Sequence, residues 1–252
     1  MGNTEIIAAR IHRIQWMDGW IALQDKISIR QPSIWVIDPW RSPQQSAHAE
    51  HLLSSEEIAR AMRFHRTEHT LRFKATHTAL RLLLGHATAS DPAALRFSTG
   101  HHHKPKLADT TNTAIQFNLS YTENRALIGL DQVHPIGVDI EWLQRPLDIE
   151  SMLDACFSAE EIAFIRAEKS ETQHRFFTLW TRKEAILKLT GEGIGEHLPH
   201  FEVLDGVNRT KKQIIGGQPP DHVYLYSFPV EEGFIGCLAS PVPVNSCSFY
   251  RL

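Results

Sequence analysis

Two segments of this chain carry the same helix-starting signature. Ser54-Ser55-Glu56-Glu57 and Ser158-Ala159-Glu160-Glu161 both place a serine three residues ahead of a glutamate. In such a capping box the hydroxyl and the carboxylate each satisfy an orphan backbone donor at a helix N-terminus. The first box is continued by Ile58, Ala61 and Met62 and by a second periodic stretch, Leu71, Ala75, Thr78 and Leu82, with Gly85 as its expected stop. The second box is followed by a helix and then by a longer one expected from about Thr172 to Thr190, ended by the glycines from Gly191. Between and after these helices lie short β-prone runs: 114–120, which alternates as a half-buried strand, 126–130, 136–141, 222–228 and 234–238. Residues 131–135 read as a hairpin or short turn joining two of them, with a domain junction near Pro135. Helices and short strands in both halves, without sustained β-α-β alternation, predict an α+β fold rather than a doubly wound sheet. No G-x-G-x-x-G follows a strand and no P-loop occurs, which excludes those routes to a nucleotide.

At 252 residues, 42% of them hydrophobic, the chain can bury a core without disulfides or metal. Cys156, Cys237 and Cys247 form an odd set with no C-x-x-C pair, as reduced thiols would. The first residues lack the apolar run of a secretory signal and the Ser/Thr of a myristoylation motif, and no segment is long and apolar enough to span a bilayer, so a cytoplasmic address is expected. The formal charge of -3 argues against a dedicated nucleic-acid binder, yet it hides a segregation. Residues 54–106 hold nine Lys/Arg against four acids, and residues 139–171 hold nine acids against three bases.

Motifs fall in both segments. In Ile136-Gly137-Val138-Asp139-Ile140-Glu141 the period of two puts both carboxylates on one side of a strand, with α-carbons roughly 7 Å apart, close enough to share a hard cation. Taken alone, the pattern equally describes an exposed face with two solvated acids. A third carboxylate, Glu184, lies on the expected long helix between Trp180 and Phe177, four residues before Lys188. An ordinary surface pair would account for Glu184 and Lys188, but an acid beside apolar rings calls for a cationic partner. In the basic segment Arg60, Arg63 and Arg72, with Lys104 and the strand end at Ser120 and Tyr121, could cradle a polyanion. The tract His101-His102-His103 is a weak zinc candidate, because successive side chains diverge. Glu161 is already explained as a helix cap.

The ordered set Lys104-Pro105, Phe117-Asn118-Leu119-Ser120-Tyr121-Thr122, Ile136–Glu141, Phe157-Ser158-Ala159-Glu160-Glu161 and Trp180–Lys188 resembles the 4'-phosphopantetheinyl transferases of the surfactin-synthetase-activating type, over about residues 54 to 195. The resemblance implies transfer of the 4'-phosphopantetheine arm of coenzyme A to a serine of an apo acyl, polyketide or peptidyl carrier protein, releasing 3',5'-ADP. It implies two similar subdomains related by a pseudo-twofold, each with a small, mainly antiparallel sheet on helices, acting as a monomer with the site between them: 1–135 for coenzyme A phosphates and 136–252 for Mg2+ and catalysis. It assigns Asp139, Glu141 and Glu184 to the metal, Glu161 to the general base, Lys188 to the pyrophosphate, and Arg60, Arg63, Arg72, Lys104, Ser120 and Tyr121 to coenzyme A. Tyr121 departs from the family's usual His. Two other readings compete: a non-catalytic coenzyme A or nucleotide-binding protein of the same fold, and a histidine-dependent metallohydrolase.

Overall fold

The computed structural model describes residues 3–10, 14–18, 31–41, 49–99, 104–108, 115–191, 198–204, 209–212, 222–231 and 233–252. The expected zinc tract at 101–103 lies outside these residues. The chain forms two compact units: residues 1–14, 101–104 and 134–245, and residues 15–100, 105–133 and 246–252. The chain passes from one unit to the other between 133 and 134, beside Pro135. The linear division at 135 differs from these units at both ends, because the N-terminal strand and the C-terminal strand each join a sheet built mostly by the opposite half of the sequence.

The first unit holds a five-stranded sheet in the order β8 (Gly137–Trp142), β11 (Phe234–Ser240), β10 (His222–Pro229), β1 (Asn3–Arg10) and β9 (Arg209–Lys212). Only the β1/β10 pair is parallel. Three helices belong to this unit, α3 (Glu150–Cys156), α4 (Ala159–Arg166) and α5 (Thr172–Thr190). Ser158 caps α4 through the expected reciprocal box with Glu161. The helix α5 ends at Gly191, whose φ of 79° is the left-handed conformation that glycine adopts without a Cβ penalty. Phe176, Phe177, Leu179, Ile186 and Leu189 of α5 form the core with Leu153, Phe157 and Ile165 and with Val223, Leu225, Cys237 and Ala239 of the sheet.

The second unit holds the sheet β2 (Trp16–Asp18), β12 (Ser248–Arg251), β3 (Ser33–Ile37), β7 (Arg125–Asp131), β6 (Gln116–Thr122), with β12 parallel to β2 and β3 and the other pairs antiparallel. Its helices are α1 (Ser55–Ala61), capped by the Ser54/Glu57 box, and α2 (Thr67–Thr88). A small antiparallel pair, β4 (Phe97–Thr99) with β5 (Pro105–Leu107), lies beside them in the chain. The architecture is α+β, with small, mainly antiparallel sheets and helices.

Three local expectations are corrected. Residues 131–135 do not turn a hairpin, since β7 pairs with β3 and β6 whereas β8 pairs with β11. The hairpin is β6/β7, turning at Glu123 with φ 33°. Gly85 does not stop α2, which runs on to Thr88; a Cβ there would fall 2.6 Å from Cγ of Pro92, so the glycine admits the returning chain. Ile58 and Met62 are exposed, and of the expected apolar stripe only Ala61 is buried.

Gly137 decides how α5 meets the first sheet. A Cβ there would collide with the Ala185 carbonyl and lie 2.5 Å from the Leu189 backbone N, both on α5. Neither contact can be relieved by rotating a side chain. Gly137→Ala is therefore expected to cost about 3 kcal/mol or more in urea or thermal unfolding, the upper end of overpacking; an unchanged midpoint would show that helix and strand are not in backbone contact.

Candidate active site

Because side chains alternate along a strand, Gly137, Asp139 and Glu141 share one face of β8, the face against α5. The carboxylates are therefore not solvated: Asp139 is 4% and Glu141 9% exposed, while Val138 and Ile140, on the other face, are fully buried. Helical spacing brings Glu184 and Lys188 of α5 to the same place, one turn apart. Lys188 Nζ lies 2.6 Å from Asp139 Oδ1, and Arg145 Nη1 stands 3.5 Å from Glu141 Oε1.

Glu184 is the least satisfied member of this group. Its Oε1 is buried with no hydrogen-bond partner. Burial, and then the charges of Asp139 and Glu141, push its carboxyl up to about 7, with Lys188 opposing. Among the described residues no three carboxylate, imidazole or thiolate groups stand gathered at metal-ligating positions. The donor chemistry nevertheless suits a hard divalent cation: all-oxygen ligands, an excess of negative charge, and a buried Glu184 oxygen without a hydrogen-bond partner. Lys188 supplies part of the missing positive charge.

The remaining predicted residues are placed as follows. Glu161 is fully buried, and both of its oxygens are engaged: Oε2 by the Ser158 N–H at 3.0 Å and Lys183 Nζ at 2.8 Å, Oε1 by the Val203 N–H at 2.7 Å. A general base must reach its proton, and the burial and the engagement of both oxygens favour the cap for Glu161. Lys183, also fully buried, spends its other donors on the carbonyls of Leu198 at 2.7 Å and Phe201 at 2.6 Å. Burial drives the Glu161 carboxyl up and the Lys183 ammonium down, each opposed by the other's charge. Arg182 is equally buried, donating to Ser227 Oγ at 2.7 Å and Val203 O at 2.9 Å. Lys104 Nζ donates to the carbonyls of Lys188 at 2.7 Å and Leu189 at 3.1 Å, so its ammonium caps the C-terminus of α5. Burial pushes the Cys237 and Cys247 thiols up to about 12, which excludes them as thiolate nucleophiles.

In the second unit Arg60 and Arg63 are exposed on and just beyond α1. Arg72 of α2 donates to the Glu123 carbonyl, and its guanidinium carbon stands 5.6 Å from the Tyr121 ring centroid. Tyr121 is half-exposed, whereas Ser120, on the opposite face of β6, is 2% exposed. The strand is not half-buried as expected, for Asn118, Ser120 and Thr122 are buried as well as Phe117.

Sequence reasoning missed a second buried pair. Arg81, 1% exposed, places Nε 2.7 Å from Glu57 Oε2 and donates from Nη1 to the carbonyls of Pro92 at 2.8 Å and Leu95 at 3.1 Å. Its signal was an arginine within Ala79-Leu80-Arg81-Leu82-Leu83-Leu84, a run too apolar to leave in water, which obliges the cation to find a buried acid. His77, beside it, was missed as well.

A model of the 4'-phosphopantetheinyl transferase superfamily matches residues 135–238. The 4'-phosphopantetheinyl transferase HetI of Nostoc sp. (strain PCC 7120) is 37% identical over 164 residues, 62% of this chain and 69% of that protein. The putative 4'-phosphopantetheinyl transferase slr0495 of Synechocystis sp. (strain PCC 6803) is 32% identical over 199 residues, 75% of this chain and 80% of the relative. The 4'-phosphopantetheinyl transferase Sfp of Bacillus subtilis (strain 168) is 28% identical over 197 residues, 75% and 83% of the two chains.

The Glu184 carboxyl fixes a pH dependence in metal-free buffer. Its folded value of about 7 lies above the ordinary 4.5, so the folded state holds the proton more tightly than the unfolded state. Stability is thus lost as pH rises from about 4.5, and the loss, about 3 kcal/mol, is complete above about 7. With chelator present, thermal unfolding should show Glu184→Gln matching the wild type near pH 5 and exceeding it at pH 8. Parallel curves would refute the strained carboxylate.

Proposed function

This chain belongs to the 4'-phosphopantetheinyl transferase superfamily, and from that premise we propose how its residues divide the work. The protein is a transferase that moves the phosphopantetheine group to carrier proteins. The acceptor is taken to be a serine of an apo carrier protein, with coenzyme A as donor and 3',5'-ADP as the other product. The relatives carry the transferase name and lend nothing to a non-catalytic binding protein.

The observation that carries the assignment is the buried carboxylate group of the first unit. Asp139, Glu141 and Glu184 would hold Mg2+, which supplies charge compensation to the pyrophosphate when bound. Glu184 contributes the oxygen that has no partner of its own, and an ion there removes the repulsion that raises its carboxyl. Lys188, now paired with Asp139, is placed to turn its ammonium to a phosphate oxygen, a contact that strengthens as charge develops on the leaving group. Lys104 steadies the end of α5 on which Glu184 and Lys188 stand. Glu161 has the same task from inside: with Lys183 it ties the start of α4 to α5 and to the chain at 198–203. Arg60, Arg63, Arg72 and Tyr121 of the second unit offer donors suited to the phosphates of coenzyme A, with guanidiniums giving forked contacts. Ser120, being buried, is left out of this set.

The two units also look like copies of one pattern. Each has a strand, a capping-box helix, a long helix and a hairpin whose second strand pairs antiparallel with the first strand: β3, α1, α2, β6/β7 and β8, α4, α5, β10/β11. Each capping glutamate meets a buried cation of the following helix. This repetition supports two similar halves in one chain and a protein that works as a monomer. The three free thiols fit a reducing compartment such as the cytoplasm, and no described helix is long and apolar enough to cross a membrane.

The test is transfer itself. With coenzyme A and Mg2+, the wild type should add the phosphopantetheine mass to an apo carrier protein. Glu184→Ala should lower the rate at least about a hundredfold with its fold intact. The double replacement Glu161→Gln with Lys183→Met, which removes both buried charges together, should keep the rate within about tenfold of wild type. Normal turnover by Glu184→Ala would sink the metal assignment, and abolished turnover by a folded double variant would restore Glu161 as a catalytic residue.

A further inference from the structure

Two carboxylates of the acidic site each carry a cation supplied by the chain itself. Lys188 Nζ stands 2.6 Å from Asp139 Oδ1, and Arg145 Nη1 stands 3.5 Å from Glu141 Oε1. The third acid, Glu184, keeps a buried Oε1 without a hydrogen-bond partner. The members of each pair differ in their access to water. The side chains of Asp139 and Glu141 are 5% and 11% exposed, whereas those of Lys188 and Arg145 are 26% and 47% exposed. The acids are enclosed against α5, and the cations reach them from the outside on long stems. Arg145 is anchored through its backbone: its N–H donates to the Trp142 carbonyl at 3.2 Å, and its carbonyl accepts from Gln173 Nε2 at 3.0 Å. Its guanidinium can therefore swing into water without disturbing the chain.

Charge count decides how such a site receives an ion, because affinity for a hard cation follows the net charge of its ligands. With one cation on Asp139 and one on Glu141, the negative charge offered to a divalent ion is largely cancelled at close range. Oxygens now facing Lys188 and Arg145 must first be given up by them. The two cations yield differently. Arg145 forms a long, exposed pair that holds weakly. Lys188 stands closer to its acid and in less water, so it yields to a competing anion, and a phosphate oxygen of coenzyme A is one.

We propose that Lys188 and Arg145 are resident counter-ions: they keep the acidic site a weak metal binder until a phosphate of coenzyme A draws Lys188 from Asp139, and Arg145 sets the affinity for the free ion. Coenzyme A and the ion then raise each other's affinity by equal factors, and Lys188 carries part of that coupling. This rests on the reading that Asp139, Glu141 and Glu184 hold the metal and that Lys188 meets a phosphate.

The experiment titrates full-length wild type, Arg145→Gln, Arg145→Lys, Lys188→Met and Lys169→Gln with Mn2+, with and without coenzyme A, reading bound ion from water-proton relaxation. Lys169, an exposed cation of the same unit, is the control. Without coenzyme A, Arg145→Gln should bind Mn2+ about fivefold more tightly, the upper worth of an exposed ion pair. Lys188→Met should gain about tenfold or more, the worth of a hydrogen bond between charged groups. Arg145→Lys and Lys169→Gln should bind as the wild type does. Coenzyme A should tighten Mn2+ binding throughout, but in Lys188→Met by a factor smaller by that same tenfold. Unchanged or weaker free-ion binding in Arg145→Gln or in a folded Lys188→Met, an equal gain in Lys169→Gln, or an undiminished coenzyme A factor in Lys188→Met would overturn the proposal. Thermal unfolding in chelator shows whether Lys188→Met is folded; if it is not, Arg145→Gln decides alone. A wild type that binds no Mn2+ even with coenzyme A sinks the metal reading and this proposal together, whereas equal affinities across the variants sink only this proposal.

Discussion

The backbone contact between β8 and α5 at Gly137 is the constraint from which the acidic site follows. With no side chain at 137, the helix comes down onto the strand, and the next two residues on that face, Asp139 and Glu141, are closed in beneath it. The same approach half-buries Glu184, covering its Oε1, and brings Lys188 to Asp139. Three carboxylates in so little water cannot all stay charged without help. One of them responds by holding its proton to about pH 7, as burial and two neighbouring like charges require.

Such a place needs a helix that does not yield. The helix α5 is anchored along its length: Phe176 and Phe177 in the core, Arg182 on Ser227 and Val203, Lys183 on Glu161, and Lys104 across its last carbonyls. Buried ion pairs contribute little net stability, but breaking one is costly, so the Glu161/Lys183 pair fixes geometry rather than adding to the total. The second unit repeats the device with Glu57 and Arg81, and there the capping glutamate has one oxygen left for His77. A single cap thus serves the helix start, the loop at 92–95 and the imidazole of His77.

Much of this was legible in the sequence wherever a local rule decides. The two capping boxes, the strand carrying Asp139 and Glu141, the span of α5 and its glycine stop all follow from patterns a few residues long. What local rules could not supply was partnership. The residues 131–135 look like a turn, but whether their flanking strands pair depends on which sheet each enters. Gly85 looks like a stop because its reason, the returning Pro92, is a tertiary contact. Glu161 fits both a cap and a base in one dimension, and only Lys183 and the Val203 amide, far along the chain, show both oxygens engaged. The motifs at Lys104 and Ser120 likewise carry no sign that Lys104 donates to helix carbonyls or that Ser120 is buried, since both are tertiary contacts.

The central claim is that Asp139, Glu141 and Glu184 make one divalent-cation site. It is tested most directly by titrating the protein with Mn2+ in the presence of coenzyme A and following the free ion by electron paramagnetic resonance. The account predicts one bound ion per chain in the wild type, displaced by excess Mg2+ and lost in Glu184→Ala; a folded Glu184→Ala variant that binds Mn2+ as the wild type does would contradict it.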